Sequence, residues 1–360
     1  MELCELWLGT CPIRNYDKIL LLEKFQSSEM LLSNILSNKK DIEIKKEIRE
    51  KLSEAWNKEK LEDYLLYLKK SNIKFITAEN PDYNTNLYNT GLNRPYILYY
   101  KGNINKLQKF TAAVVGSRNC TDYGREICMS IVKELVRLGI NVISGGALGI
   151  DSIAHRSCLS YDGFTGAVLG SGIDVLYPYV NKSMFKEISE KGVLLSEYIP
   201  ETKPHNYNFP NRNRIISGIS DIVIIVEAKE NSGSCITARH GAEQGRDIIA
   251  VPGALSMKNS TGCNMLIQSG ANIYLGYESI HTILEFNHKW INQQESSPVA
   301  IQNNSIKETV FSIISDKPTH IDEIQKHTNV DISLLYELLF EMQLNKEIIS
   351  LSGNFYARLI

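Results

Sequence analysis

The residues of this chain best suited to chemistry lie in three glycine-rich turns and an arginine pair between positions 115 and 235. The first turn is Gly116-Ser117-Arg118, directly after Val115. The second runs Ser144-Gly145-Gly146-Ala147-Leu148-Gly149-Ile150-Asp151, and the third Gly170-Ser171-Gly172-Ile173-Asp174. Glycines at strand ends let backbone N–H groups approach an anion, and the helix that follows adds positive partial charge. The competing reading is geometric, because many α/β folds need a glycine simply to bend; three such turns in succession favour anion binding. They are not a dinucleotide fingerprint. The first strand–helix unit lacks G-x-G-x-x-G with an acidic residue about 20 positions later, and no G-x-x-x-x-G-K-[ST] occurs.

The arginine pair sits in Phe209-Pro210-Asn211-Arg212-Asn213-Arg214. Arginine offers a planar fork to phosphate, and phenylalanine a face for an unstacked base. This stretch is expected to precede a short helix, Ile215–Ile219, with both arginines facing the ligand. The structural alternative salt-bridges the arginines and puts Phe209 in the core. Arg118, just past the first turn, should project over the same crevice, with a structural ion pair as its alternative. Ser232-Gly233-Ser234 opens a further helix, another N-terminus suited to an anion.

Composition limits what these residues serve. The chain has 360 residues and a formal net charge of −2, so nucleic-acid contact requires a local basic patch. Its seven cysteines, at 4, 11, 120, 128, 158, 235 and 263, form no C-x-x-C pair, which points to reduced thiols and no zinc site. No secretory signal or bilayer-length apolar run is legible, so a cytoplasmic location and no membrane contact are expected.

The elements that must carry the turns follow from periodicity. Residues 1–72 repeat apolar positions at helical spacing, for example over Asn15–Phe25 and Lys58–Lys69. From 73 to 286, short β-branched strands alternate with helices. Strands are expected at Ala112–Val115, Asn141–Ser144, Gly166–Leu169, Val193–Leu195, Asp221–Val226 and Asp247–Val251. Runs such as Ile222–Val226 are apolar on both faces, which implies a parallel sheet covered by helices on both sides. Residues 287–304 are polar and linker-like. Residues 305–360 give helix, helix, helix and a hairpin about Ser352-Gly353-Asn354, the pattern of a winged helix.

At this level of detail the chain resembles a known family. Val115–Arg118, Ser144–Asp151, Val168–Pro178, Leu195-Ser196-Glu197, Phe209–Arg214, Ser232–Ala238, Val251-Pro252-Gly253 and Gly262–Ala271 are similar to the ordered motifs of the DNA-processing protein A (DprA/Smf) family. The resemblance implies an α/β, extended Rossmann-like fold with an N-terminal helical (SAM-like) domain and a C-terminal winged-helix domain. It implies a homodimer that binds and protects single-stranded DNA and helps load the RecA recombinase during natural transformation, without catalysis or cofactor. By motif position the DNA site would comprise Gly116, Ser117, Arg118, Ser144, Gly145, Gly146, Gly149, Asp151, Gly170, Gly172, Lys182, Phe209, Asn211, Arg212, Asn213, Arg214, Ser232, Gly233 and Ser234. The dimer contact would fall around Cys263–Leu275.

Two features depart from the pattern. Leu148 stands where the family commonly has a basic residue, and Cys11-Pro12-Ile13-Arg14 replaces a glycine-rich helical hairpin. In the C-terminal module the expected third helix, Ser333–Asn345, carries Glu337 and Glu341 and no lysine or arginine. It is therefore expected to bind protein or its own chain in preference to duplex DNA. The alternative function is a nucleotide phosphoribohydrolase of the lysine-decarboxylase-like type, with Asp151, Asp174, Glu197 or Glu227 as acid or base.

Overall fold

The computed structural model describes residues 2–37, 44–286 and 307–358, the last stretch without 308, 316, 329, 345, 346 and 352. The linker expected over 287–304 lies outside the described residues. Two compact units result, Met1–His281 and Thr282–Ile360.

The first unit opens with α1 (Glu2–Thr10), α2 (Asn15–Phe25), α3 (Ser28–Leu36), α4 (Lys46–Ala55) and α5 (Lys58–Lys70). Ser27 and Asn57 cap α3 and α5 by accepting from the amides of Met30 and Lys60. These helices do not form a separate core. Leu6, Trp7, Leu31 and Leu68 join Tyr96, Tyr99, Phe185 and Leu194 of the following region in one buried cluster. The boundary expected at residue 72 thus divides two textures of sequence but not two cores.

Next come β1 (Lys74–Thr77), α6 (Thr85–Tyr88), β2 (Ile97–Gly102), β3 (Thr111–Val115), α7 (Asp122–Arg137), β4 (Asn141–Ser144) and α8 (Ile150–Ser160). They are followed by β5 (Thr165–Leu169), α9 (Lys182–Lys191), β6 (Val193–Ser196), α10 (Asn208–Ile219), β7 (Ile222–Ile225) and α11 (Gly233–Glu243). Then come β8 (Asp247–Ala250), α12 (Thr261–Gln268), β9 (Asn272–Ile273) and α13 (Tyr277–Phe286), within which the boundary of the unit falls. All nine strands form one sheet in the order β1-β2-β6-β5-β4-β3-β7-β8-β9. From β6 to β9 in that order the pairing is parallel, while β2 runs antiparallel to both β1 and β6. The central strands β3, β4, β5 and β7 are buried throughout, consistent with apolar residues on both faces.

The chain builds outward from β3. Strands β4, β5 and β6 add on one side, and then the chain crosses to place β7 on the other. The order therefore reverses at β3, and in such sheets the crevice at the carboxyl ends of the two diverging strands is the natural ligand site.

In the second unit, helical residues 309–313 are followed by β10 (Thr319–His320), the helices Ile321–Thr328 and Ile332–Leu344, β11 (Ile348–Leu351) and β12 (Phe355–Arg358). The strands pair in the order β10-β12-β11 over a core of Val310, Ile324, Leu335, Leu339 and Ile348. Gly353 and Asn354, at φ of +82° and +59°, turn β11 into β12.

Every cysteine is a free thiol. Among the described residues no His, Cys, Asp and Glu group could hold a metal, and no helix is long and apolar enough to cross a membrane.

Candidate nucleic-acid interface

A cavity of about 540 Å³ opens where the strand order reverses. Its walls are the loop Gly116–Asn119 after β3, Ala147 and Asp151 beyond β4, Asn206, Phe209, Arg212 and Asn213 at the start of α10, and Lys229 with Ser232–Ser234 before and within α11. The first glycine turn, part of the second, the Phe209–Asn213 stretch and the N-terminus of α11 thus meet there, while the third turn does not.

The β3 loop is held from below. Thr121 caps α7, and the Glu227 carboxylate accepts from both the amide and the hydroxyl of Thr121, at 3.0 and 2.5 Å. Asn259 adds a bond to the Asn119 carbonyl at 2.7 Å. This brace leaves Arg118 exposed, its guanidinium carbon 5.7 Å from the centroid of the Phe209 ring. Among the described residues neither Arg118 nor Lys229 has an ion-pair partner. On the facing wall Ser232 accepts from the Cys235 amide as the cap of α11, and Gly233 lies exposed beside it.

The second turn binds an anion, but the anion is the chain's own. The amides of Gly145 and Ala147 donate to Asp151 Oδ2 at 3.2 and 3.4 Å. Burial raises the Asp151 pKa, opposed by the Arg212 charge and these amides. Gly145 and Gly146 are buried, and Ser144 is fully buried with its hydroxyl on the Val114 carbonyl. Gly149, at φ of +73°, makes the left-handed step into α8 that a side chain would strain.

The third turn does not open onto this cavity. The Phe209 ring covers Gly170, where an added Cβ would lie 2.7 Å from Cδ1, and the Gly172 amide donates to the Thr202 carbonyl at 2.8 Å. Asn208 donates to the Gly170 carbonyl at 3.0 Å. Gly170 and Gly172 therefore build the platform under Phe209 in place of contacting ligand.

The arginine pair is corrected more sharply. Residues 208–219 are all one helix, so the Phe209–Arg214 stretch forms the opening turns of α10, with Pro210 tolerated there. Positions i and i+2 of a helix point about 200° apart. Arg212 turns inward and is 5% exposed; its Nη1 donates to the carbonyls of Gly145 and Val168, tying β4 to β5. Burial lowers its pKa, and Asp151 counters the shift. Arg214 turns the other way, onto both oxygens of Glu197 at 2.5 and 2.6 Å and the Asn93 carbonyl. Asn213 is buried with its amide on the Gly233 carbonyl, and Asn211 is exposed.

Lys182 is exposed, but on the rim beyond the third turn, with Nζ 5.1 Å from the Tyr179 ring centroid. Near it are aromatics that the expected site residues do not include. Tyr177 packs on Phe209 with centroids 5.7 Å apart, Tyr179 is 75% exposed, and Tyr207, 66% exposed, stacks on His205 at 5.4 Å. Aromatics clustered outside any strand or long helix, at 177–179 and 205–207, are the signal that could have revealed them.

The candidate acids are all engaged. Asp151 holds the second turn, Glu227 the first, and Glu197 pairs with Arg214. Asp174 accepts from the Glu201 amide and the Tyr67 hydroxyl. His155 is fully buried with Nδ1 2.7 Å from Thr165 Oγ1.

Comparison with known proteins places this geometry. The family model described as DNA recombination-mediator protein A matches residues 74–286. Protein Smf from Escherichia coli is 32% identical over 310 residues, 85% of this chain and 82% of its own. Protein Smf from Synechocystis is 39% identical over 208 residues, 57% of this chain but only 52% of its own. Among solved structures, DNA processing protein A from Streptococcus pneumoniae aligns at a TM-score of 0.58 and 32% identity, over 75% of this chain and 98% of that one. The Helicobacter pylori protein, described for its single-stranded DNA binding mode, aligns at 0.50 and 32%, over 53% and 88%. A match over more than half the chain, in the region that forms the sheet and its crevice, makes this chain a member of the DNA recombination-mediator protein A family.

Proposed function

We propose that the chain binds single-stranded DNA along the crevice between the β3 loop and the N-terminus of α11. The observation that carries this is Arg118 held over Phe209 at the mouth of that crevice, a cation and an aromatic face within one nucleotide's reach. Lys229 and the α11 N-terminus supply further positive potential, and Tyr177, Tyr179 and Tyr207 continue the stacking surface along the rim. Gly116, Ser117, Ser232, Gly233 and Ser234 are the backbone contacts in this proposal. Arg212, Arg214 and Asp151 position the walls. The Helicobacter relative's description as a single-stranded DNA binder supports the same substrate.

The protein acts on this reading as a binder with no chemistry of its own. The carboxylates that a nucleotide hydrolase would use are each committed to holding a loop. In the wider family role, the chain works as a homodimer that delivers DNA to the RecA recombinase. The exposed apolar side chains Met265, Ile273 and Leu275 fit the dimer contact expected around Cys263–Leu275.

The test is binding of a fluorescent oligothymidylate at two salt concentrations, alongside incubation with nucleoside monophosphates. Affinity should fall as salt rises, with little sequence preference and no released base. Salt-independent binding, or free base in the second assay, refutes the reading.

A further inference from the structure

Beyond Phe209 the chemistry of the crevice continues onto the segment that leads into α9. Tyr177 packs directly on Phe209, the ring that Arg118 covers from the other direction. Tyr179 follows two residues later and projects into solvent. Lys182 Nζ lies 5.1 Å from the Tyr179 ring centroid, and Lys186, also exposed, stands one turn further along α9. Neither lysine has an ion-pair partner among the described residues, whereas Lys191 of the same helix takes Glu187 at 2.9 Å. Cation, ring, ring, ring and cation thus follow one another from Arg118 to Lys182.

The segment is fixed to the crevice. The Asn181 side chain is buried and donates to the carbonyls of Gly146 and Ala147 at 3.1 and 3.4 Å, and Ala147 is itself part of the crevice wall. Phe185 is fully buried against Gly146, which has no side chain to keep it away. The single helical turn Tyr179–Asn181 and the start of α9 are therefore held in place relative to the second glycine turn.

Charge selects the occupant. From Val175 to Lys186 there is no aspartate or glutamate. The acids on either side are committed, Asp174 to the Glu201 amide and the Tyr67 hydroxyl, Glu187 to Lys191. Exposed rings interleaved with unpaired cations match a polymer that alternates π faces with phosphates, which is an unpaired polynucleotide. A duplex keeps its base faces stacked inside and offers the rings nothing.

We propose that residues 177–186 form a second nucleotide subsite. A strand that leaves the Phe209 stack lays its next bases on Tyr177 and Tyr179 and runs its phosphates along Lys182 and Lys186. This path rests on the crevice reading above and extends it: the protein recognises the length of a single strand as well as its being unpaired.

The full chain is titrated by fluorescence anisotropy with labelled oligothymidylates of about four and about twelve nucleotides, which bracket common single-strand site sizes. The parent should bind the longer strand about tenfold more tightly or better. Tyr179→Ala with Lys182→Ala should shrink that gain by about tenfold, and Tyr179→Phe, which keeps the ring, should preserve it. Lys186→Ala should lower the salt slope of the longer strand by about 0.7. These positions are exposed, so an unchanged thermal melt shows that the variants remain folded. Arg118→Ala should weaken both lengths and so tests the crevice by itself. A double variant that keeps the parent's gain from length, or that loses affinity equally for both lengths, overturns the second subsite and leaves the crevice standing. Arg118→Ala without effect on either length overturns the crevice reading, and the subsite with it.

Discussion

At the scale of single residues, two arginines of similar standing in the sequence take opposite roles. Arg118 is exposed, packs over the Phe209 ring and has no ion-pair partner among the described residues, so Arg118→Ala should leave stability within about 0.5 kcal/mol. It should reduce oligothymidylate affinity by about tenfold and the salt slope by about 0.7. Arg212 is a buried strut. Arg212→Met leaves Asp151 without its counter-charge and two carbonyls without a donor, costing about 3 kcal/mol in denaturant unfolding. The reverse ranking in those two assays contradicts the assignment. Sequence could not orient Arg212 against Arg214, because a loop and a helix send i and i+2 to different places. The outcome lay in where α10 begins: at Asn208 and not at the expected Ile215.

His155 supplies a second residue-level prediction. Burial, then the Arg212 charge, lowers its pKa from 6.5 to about 3, and its Nε2 has no hydrogen-bond partner among the described residues. The folded state thus holds the neutral ring while the unfolded state takes a proton below about pH 6.5. Its contribution to stability is present above 6.5 and is lost as pH falls from there toward 3. Urea midpoints at pH 7 and pH 4.5 should differ less for His155→Gln than for the parent; equal differences would remove His155 as a cause.

At the scale of elements, the crevice depends on where helices start. Ser232 caps α11 and so fixes the amides that face the β3 loop. Ser232→Ala should cost about 1 kcal/mol of stability and weaken oligothymidylate binding through loosening of that terminus. Binding at parental strength in a destabilised Ser232→Ala protein would detach the α11 terminus from the site. The parallel strands were legible because residues such as Ile222–Ile225 are apolar on both faces, and their observed bounds shift by a residue or so from those expected. The antiparallel β2, between β1 and β6, was not legible as such. Its Ile97–Gly102 run names a strand but not its neighbours, which pairing across 90 residues decides. The third glycine turn misled for a related reason. Its spacing matches an anion loop, yet close packing of Phe209 requires the same glycine.

At the scale of the molecule, the N-terminal helices are part of the sheet's own core. Trp7 is fully buried and donates to the Leu52 carbonyl at 3.0 Å, and its cluster reaches Tyr99 and Leu194. Removing residues 1–72 should expose that surface, lowering the melting temperature or yielding aggregated protein. A truncated chain with an unchanged melt would show the helices to be separable. Composition alone marked the change at residue 72 but carried no sign that both sides pack together.

The most direct test of the central claim is a crystal structure of the full chain with a short oligothymidylate. A phosphate against the Arg118 guanidinium and the α11 N-terminus, with a base stacked on Phe209, is the expected result. DNA bound elsewhere, with that crevice empty, would contradict it.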